Sequence, residues 1–280
     1  MSIVLATKFS PHVDEKFAAE SKLSLLTNKD YDWDGAQTVK VYKISTSGMN
    51  DYGRNGAASG NWSRYGAVAD LDATVETLTL AKDRSFTFAI DRLDSDETVA
   101  TLAAASALER QLREVVIPEV DTYVYNKMAT NAGTTATAAA LDADGIYAAI
   151  LSGSEALDNA LVPETDRYII VTPAVYTMMK KSGDIIMATD IAEDMRIKGV
   201  IGMIDGLGVI RVPAARLPEG FGFMLCHPSA TVAPVKLEDY TIHDNPPGIS
   251  GALVEGRICY DAFVLENKNK AIYYQPVTAG

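Results

Sequence analysis

The chain has 280 residues, 48% of them hydrophobic, with 25 basic against 37 acidic side chains and a formal charge of −12. That length holds one large domain or two modest ones, each with a core. The negative balance repels phosphate backbones and so excludes a protein that grips nucleic acid nonspecifically, but not a wall around nucleic acid delivered by other machinery. The opening MSIVLATKFSPHVDEKF lacks the apolar run of a signal peptide, and no membrane-spanning run follows. Two cysteines, Cys226 and Cys259, suit a reducing compartment and two buried thiols better than a disulfide framework.

Residues 1–37 mix charges with short apolar pieces and read as an arm, with one short helix expected around Val13 to Leu26. TVKVYKIST alternates around Val39 and Val41 and predicts a strand. SGMNDYGRNGAASGNWSRYGA then spaces glycines between Tyr52, Trp62 and Tyr65, a stretch unable to build a core of its own. TVETLTLAKDRSFTFAID alternates again and predicts one or two returning strands, so the whole reads as a long projecting hairpin whose aromatics need a partner.

At LDSDETVATL, Asp94 or Ser95 is placed to cap a helix whose first turn carries Asp96 and Glu97. Its expected apolar seam is Val99, Leu102, Ala105, Leu108, Leu112, Val115 and Val116, with Arg110, Arg113 and Glu114 turned away. Beyond Pro118 a straight helix would carry Glu119 onto that seam, so a kink is expected there, followed by a new stripe of Val120, Tyr123, Val124 and Met128. After the small-residue linker NAGTTATAAA the pattern changes. LDADGIYAAILSGSEALDNA predicts a helix, RYIIVT a buried strand, PAVYTMMKKS a helix opened by Pro173, and IKGVIGMIDGLGVIRVP two strands around a glycine turn. With GFGFMLCHP as another strand, residues 141–233 form an α+β or α/β body, and a turn at Pro246, Pro247 and Gly248 leads into β-rich segments.

Catalytic patterns are missing. GVIGMIDGLGVI lacks the ending of a P-loop, no nucleophile elbow occurs, and His12, His227 and His243 stand apart from any metal-binding spacing. Cys226 and His227 are neighbours in a strand and so face opposite sides, which argues for a buried thiol beside a surface imidazole. Capping accounts for the acids of DSDET, Met178 and Met179 read as core packing, and Asp190, Glu193 and Asp194 read as a solvated face. Neither an enzyme nor a cofactor or metal site is expected.

FAIDRLDSDET followed by ALERQLREVVIPEVDTY, then KGVIGMIDGLGVIRVPAARLP, HPSATVAPVKLEDYTIHDNPPG and GALVEGRICYDAFVLENK, resembles the major capsid proteins of tailed bacteriophages, over roughly residues 38 to 275. The resemblance implies the α+β capsid fold shared with herpesviruses and encapsulins. Its parts would be an N-terminal arm (1–37), an extended loop (48–85), a peripheral domain (38–47, 86–140 and 234–280) with a long bent spine helix from about 95 to 131, and an axial domain (141–233). It also implies self-assembly as pentamers and hexamers into an icosahedral shell around double-stranded DNA, in the bacterial host cytoplasm, with a separate scaffolding protein and a portal. Sequence-specific DNA binding and membrane association are not implied. Arg54, Trp62 and Tyr65 are expected at contacts between subunits, with Lys82 and Arg84 meeting acidic surface next door. Some members of the fold bond a loop lysine to a neighbour's asparagine; Lys82 with Asn245, Asn267 or Asn269 is the available set here, and no motif selects a pair. The alternatives are an encapsulin-type nanocompartment shell, a soluble α/β enzyme, and a tail or adhesive protein.

Overall fold

The computed structural model describes residues 20–28, 38–57, 62–68, 70–93, 104–183 and 200–278. The expected capping residues Asp94 and Ser95, the acids Asp96 and Glu97, the seam residues Val99 and Leu102, the acidic Asp190, Glu193 and Asp194, and the first half of the expected arm helix lie outside them; its described half holds only a single 3-10 turn, Leu23–Leu25. Two compact units emerge, one spanning residues 33–80 and the other comprising residues 1–32 and 81–280.

In the smaller unit β1 (Thr38–Ile44) pairs antiparallel with β2 (Ala73–Thr79), Tyr42 standing opposite Val75. Val39, Val41 and Lys43 are half-buried, and Thr38, Lys40, Tyr42 and Ile44 are exposed, as the period of two requires. Lys43 and Glu76 pair at 3.2 Å on the more sheltered face. A two-stranded ribbon of this kind is marginal by itself in water.

The larger unit is built on a six-stranded mixed sheet in the order β4-β13-β8-β5-β7-β6. Its strands are β4 (Thr134–Thr135), β5 (Tyr168–Val171), β6 (Val200–Ile204), β7 (Leu207–Arg211), β8 (Phe221–Cys226) and β13 (Ile272–Pro276). YIIV of β5 and FGFMLC of β8 are buried on both faces, which is why they read as unbroken apolar runs. Alternate side chains enter two cores. Tyr168, Ile170, Met224 and Cys226 meet Val124, Tyr125 and Met128 of the spine helix, together with Leu26 from the N-terminal segment. Ile169, Val171, Phe223 and Leu225 meet α3 (Ile146–Asn159) and α4 (Pro173–Lys181) through Ile146, Ile150, Leu157, Val175 and Met179. Thr172 caps α4, its hydroxyl accepting from Val175 N, and Pro173 follows where its missing N–H costs nothing. Asp205 and Gly206, with φ of 46° and 78°, make the tight turn between β6 and β7 that the Asp-Gly pair announces.

β13 falls in the segment 234–280, which the sequence reading groups with the peripheral body. It sits instead between β4 and β8 of the six-stranded sheet. Of the other strands of that segment, the short β12 (Phe263–Val264) pairs with β9 (Thr231–Val232), while β10 (Val235–Asp244) and β11 (Gly251–Tyr260) form a separate sheet with β3 (Lys82–Asp91), in the order β10-β11-β3. In it Phe86 stands opposite Gly256 and Gly256 opposite Tyr240, and the bare glycine lets the two rings stack at 6.2 Å. A Cβ at Gly256 would run into both.

The spine helix does not break at Pro118. It runs as α1 (Ala104–Gln111), a wide π turn over Leu112–Val116 and α2 (Ile117–Thr130), with helical backbone at Val116 and Ile117. Ile117 N–H donates to Leu112 O, five residues back. The backbone thus opens just ahead of Pro118, which lacks a donor and whose ring would otherwise press on the carbonyl of Glu114. The same wide turn resets the phase. Leu108, Leu112, Val116, Val120, Val124 and Met128 recur every four residues, and in a plain α-helix each step would drift by about 40°; the π turn takes back part of that drift. It also corrects the expected seam, since Ala105 and Val115 are exposed while Val116 is half-buried.

A buried ion pair ties α2 to two distant segments. Arg216 Nη1 donates to Asp121 Oδ2 at 2.6 Å, and Ser21 Oγ donates to Asp121 Oδ1 at 2.6 Å. Burial pushes the Asp121 carboxyl above the ordinary carboxylate range, with Ser21 and Arg216 pulling it back.

Candidate assembly surface

The described residues between β1 and β2 fold on one another through backbone and small polar groups and one pair of aromatic rings. Gly53 N–H donates to Arg64 O at 2.8 Å, and Tyr65 N–H to Ser63 Oγ at 3.1 Å. Gly66, at φ 96°, passes so close to the Asn50 side chain that a Cβ there would collide with it. Tyr52 and Tyr65 meet edge to face at 5.0 Å. This stitching shapes a tip without giving it an interior: Trp62 is 87% and Tyr65 77% exposed, and Arg54, Met49, Val68 and Leu71 are exposed too. In water such a surface is costly unless something covers it.

Lys82 and Arg84 belong to the other unit, in β3 opposite Tyr260 and Ile258. Each has a partner within its own chain. The Lys82 ammonium lies 5.1 Å from the centre of the Tyr123 ring, and the Lys127 ammonium 5.5 Å from it. Tyr123 in turn donates its hydroxyl to Asp261 Oδ1 at 2.7 Å, and buried Asp261 also accepts from Ala262 N on Oδ1 and from Ala81 N on Oδ2. Burial first, and then Asp261, push the Tyr123 phenol well above its ordinary range. Arg84 Nε donates to Glu119 Oε1 at 2.7 Å, which holds the guanidinium pKa up, and Tyr260 adds its hydroxyl to the same oxygen at 3.3 Å. Burial, followed by Glu119, pushes the Tyr260 phenol up to about 12. Arg84, Glu119 and Tyr260 border a cavity of about 140 Å³ beside the π turn, with Gln111, Val115 and Ile258 in its wall.

On the opposite face of this sheet Arg257 clasps Asp83 through two nitrogens, at 2.6 and 2.9 Å, and draws its carboxyl below the usual range. His243 approaches Glu255 at 3.3 Å.

Chemistry of the nucleophile-and-base kind finds no support at Cys226 and His227. The thiol is fully buried and pushed up to about 12 by that burial. His227 is half-buried, its Nδ1 facing Ser229 at 2.8 Å, and burial lowers its pKa. Cys259 is half-buried rather than buried, a correction to the expectation of two buried thiols. Among the described residues no three metal-ligating side chains gather, and no helix is long and apolar enough to cross a membrane. Sequence reasoning missed Asp261 and the Asp121–Arg216 pair, whose partners lie up to 180 residues away with no local signal.

A family model described as phage capsid protein matches residues 72–269, well over half of the chain. Comparison with curated protein sequences finds no match. Among solved structures the fold is similar to a chain of Mycobacterium phage Che8, with a TM-score of 0.72, 19% identity, and coverage of 97% of this chain and 96% of that one. It is similar as well to the capsid of Cyanophage P-SCSP1u (TM-score 0.67, 13% identity, 98% and 93% covered) and to that of Myoviridae phage XM1 (TM-score 0.63, 14% identity, 99% of each chain covered). These likenesses run nearly the full length of both chains in each case, which supports the α+β capsid fold throughout. The chain belongs to the phage capsid protein family.

Proposed function

We propose that the subunit assembles as pentamers and hexamers into a closed icosahedral shell around double-stranded DNA in the bacterial cytoplasm, with a separate scaffolding protein and a portal. The reading rests above all on the unit spanning 33–80, which exposes Trp62, Tyr65, Tyr42 and Ile44 and among whose described residues only Leu78 and Leu80 are buried. On this reading residues 1–37 are the arm and 48–85 the extended loop. Residues 141–233 face the capsomer centre, and 38–47, 86–140 and 234–280 form the peripheral body, with β13 lent to the central sheet. Arg54, Trp62 and Tyr65 meet a neighbouring subunit, while Lys82 and Arg84 reach it from the sheet edge, Arg84 through a guanidinium that remains more than half exposed beside Glu119. The role is structural, without catalysis: shell closure multiplies a modest contact over many copies. The net charge of −12 keeps a lining from adhering to the packaged nucleic acid.

The test is electron microscopy of the expressed protein, with and without Arg54→Ala combined with Trp62→Ala. The double variant should keep the circular dichroism of a folded subunit and yield few shells. Shells formed in undiminished yield would refute the contact assignment.

A further inference from the structure

Where the chain leaves α3 it closes a Schellman turn. Leu161 N–H donates to Asp158 O at 2.9 Å and Val162 N–H to Leu157 O at 3.1 Å. Leu161 takes the left-handed position, φ 56°, which glycine fills most readily in such caps. Its side chain is nevertheless 91% exposed. The turn is also braced. Buried Arg167 donates to Val162 O and Asp158 Oδ1 at 2.6 Å and to Pro163 O at 2.7 Å, gripping both flanks of the leucine. The fold therefore holds a leucine in water, in a backbone conformation that disfavours it. Exposed Glu164 and Asp166 give this knob acidic shoulders.

A surface of the opposite character lies elsewhere on the same sheet. β5 and β7 run parallel: Tyr168, at the end fed by the knob, pairs with Gly208, and Val171 pairs with Arg211 at the far end. There the Arg211 guanidinium lies 5.3 Å from the centre of the Tyr176 ring of α4, and the Lys180 ammonium 5.8 Å from it. Both cations are exposed, and the ring is half-buried. An aromatic ring overlaid by two exposed cations, whose stems and ring offer apolar surface under positive charge, complements a leucine edged by two carboxylates.

We propose that the Leu161 knob of one subunit docks on the Tyr176, Lys180 and Arg211 patch of the next copy. Two different, complementary surfaces on one chain make a head-to-tail contact, the kind that closes into a ring when the rotation per subunit allows. The inference rests on the self-assembly reading above and adds a contact that uses no residue of the 33–80 unit.

Leu161→Gly separates the two roles of the position. Glycine relieves the left-handed backbone, so the subunit's thermal midpoint should hold or rise, while the concentration for half-assembly, followed by light scattering and sedimentation, should rise about tenfold. Lys180→Glu with Arg211→Glu should weaken assembly to a similar degree. Adding Glu164→Lys and Asp166→Lys to that pair should bring it back to within about threefold of the parent. Assembly of Leu161→Gly at the parent's concentration, or charge exchange without rescue, overturns the ring contact. If the Arg54 and Trp62 variant alone fails to assemble, the shell reading stands without this contact. A parent chain that never associates overturns both.

Discussion

The Asp121 carboxylate joins the spine helix to Arg216 in the turn after β7 and to Ser21 in the N-terminal segment, at 2.6 Å in both cases. With Asp121 2% and Arg216 6% exposed, neither charge can fall back on water. Asp121→Ala takes the carboxylate from beside a buried guanidinium and releases Ser21, so the subunit should lose about 3–5 kcal/mol. Total stabilities of about 5–15 kcal/mol make that a large share, worth on the order of 10 °C in the thermal midpoint. Asp121→Leu with Arg216→Met removes both charges and keeps the volume filled, and should return to within about 1 kcal/mol of the parent. Urea denaturation of the unassembled subunit, followed by far-ultraviolet circular dichroism, measures all three proteins. A loss below about 1 kcal/mol for Asp121→Ala, or a double variant no more stable than the single one, would refute the view that this pair clamps the three segments together.

Gly153 supplies a second check. It faces Leu225 and the Tyr273 ring, where a Cβ would collide, so Gly153→Ala should lower stability by about 1–3 kcal/mol, although alanine inside an open helix gains about 1 kcal/mol; a raised thermal midpoint would contradict the close seating of α3 on β8 and β13. Alkali supplies a third. Tyr260 has an ordinary value of 10.0 and is pushed up to about 12, so over that window the folded chain keeps a proton that the unfolded chain has released. Its contribution is whole below the lower value and is lost as pH rises through the upper one. Tyrosinate absorbance should lag in the folded subunit, and Tyr260→Phe should flatten the alkaline fall in stability; an unchanged slope counts against a phenol held protonated by its burial and by Glu119.

What the sequence conveyed depended on how local the cause was. Alternation around Val39, Val75 and Phe86 marks β1, β2 and β3, and the unbroken runs YIIV and FGFMLC mark strands covered on both faces. Asp205 with Gly206 and Thr172 with Pro173 announce a turn and a helix start within two residues. Pro118 signalled an irregularity, but its form depends on a hydrogen-bond register that composition does not carry, and the π turn moved Val115 outward. β13 has a strand's composition, yet nothing in IYYQP says that β4 and β8 are its neighbours. The exposure of Trp62 and Tyr65 was legible because glycines around them preclude a local core. The engagement of Lys82 with Tyr123 and of Arg84 with Glu119 was not legible, because those partners lie some 35 to 41 positions downstream on a different element. Leu161 escaped notice for the opposite reason: a leucine gives no hint of a left-handed backbone.

The position of β13 bears on how the polypeptide matures after synthesis. A nascent chain that has emerged only as far as Tyr260 already contains β8, but lacks the strand that seals its flank and docks β4 beside it. Until residues 272–276 arrive, β8 offers a bare row of amides and carbonyls, open to mispairing with any extended segment nearby. Ribosome-bound or truncated pieces should therefore be sticky and chaperone-dependent, and productive subunits should appear only once translation has passed Pro276.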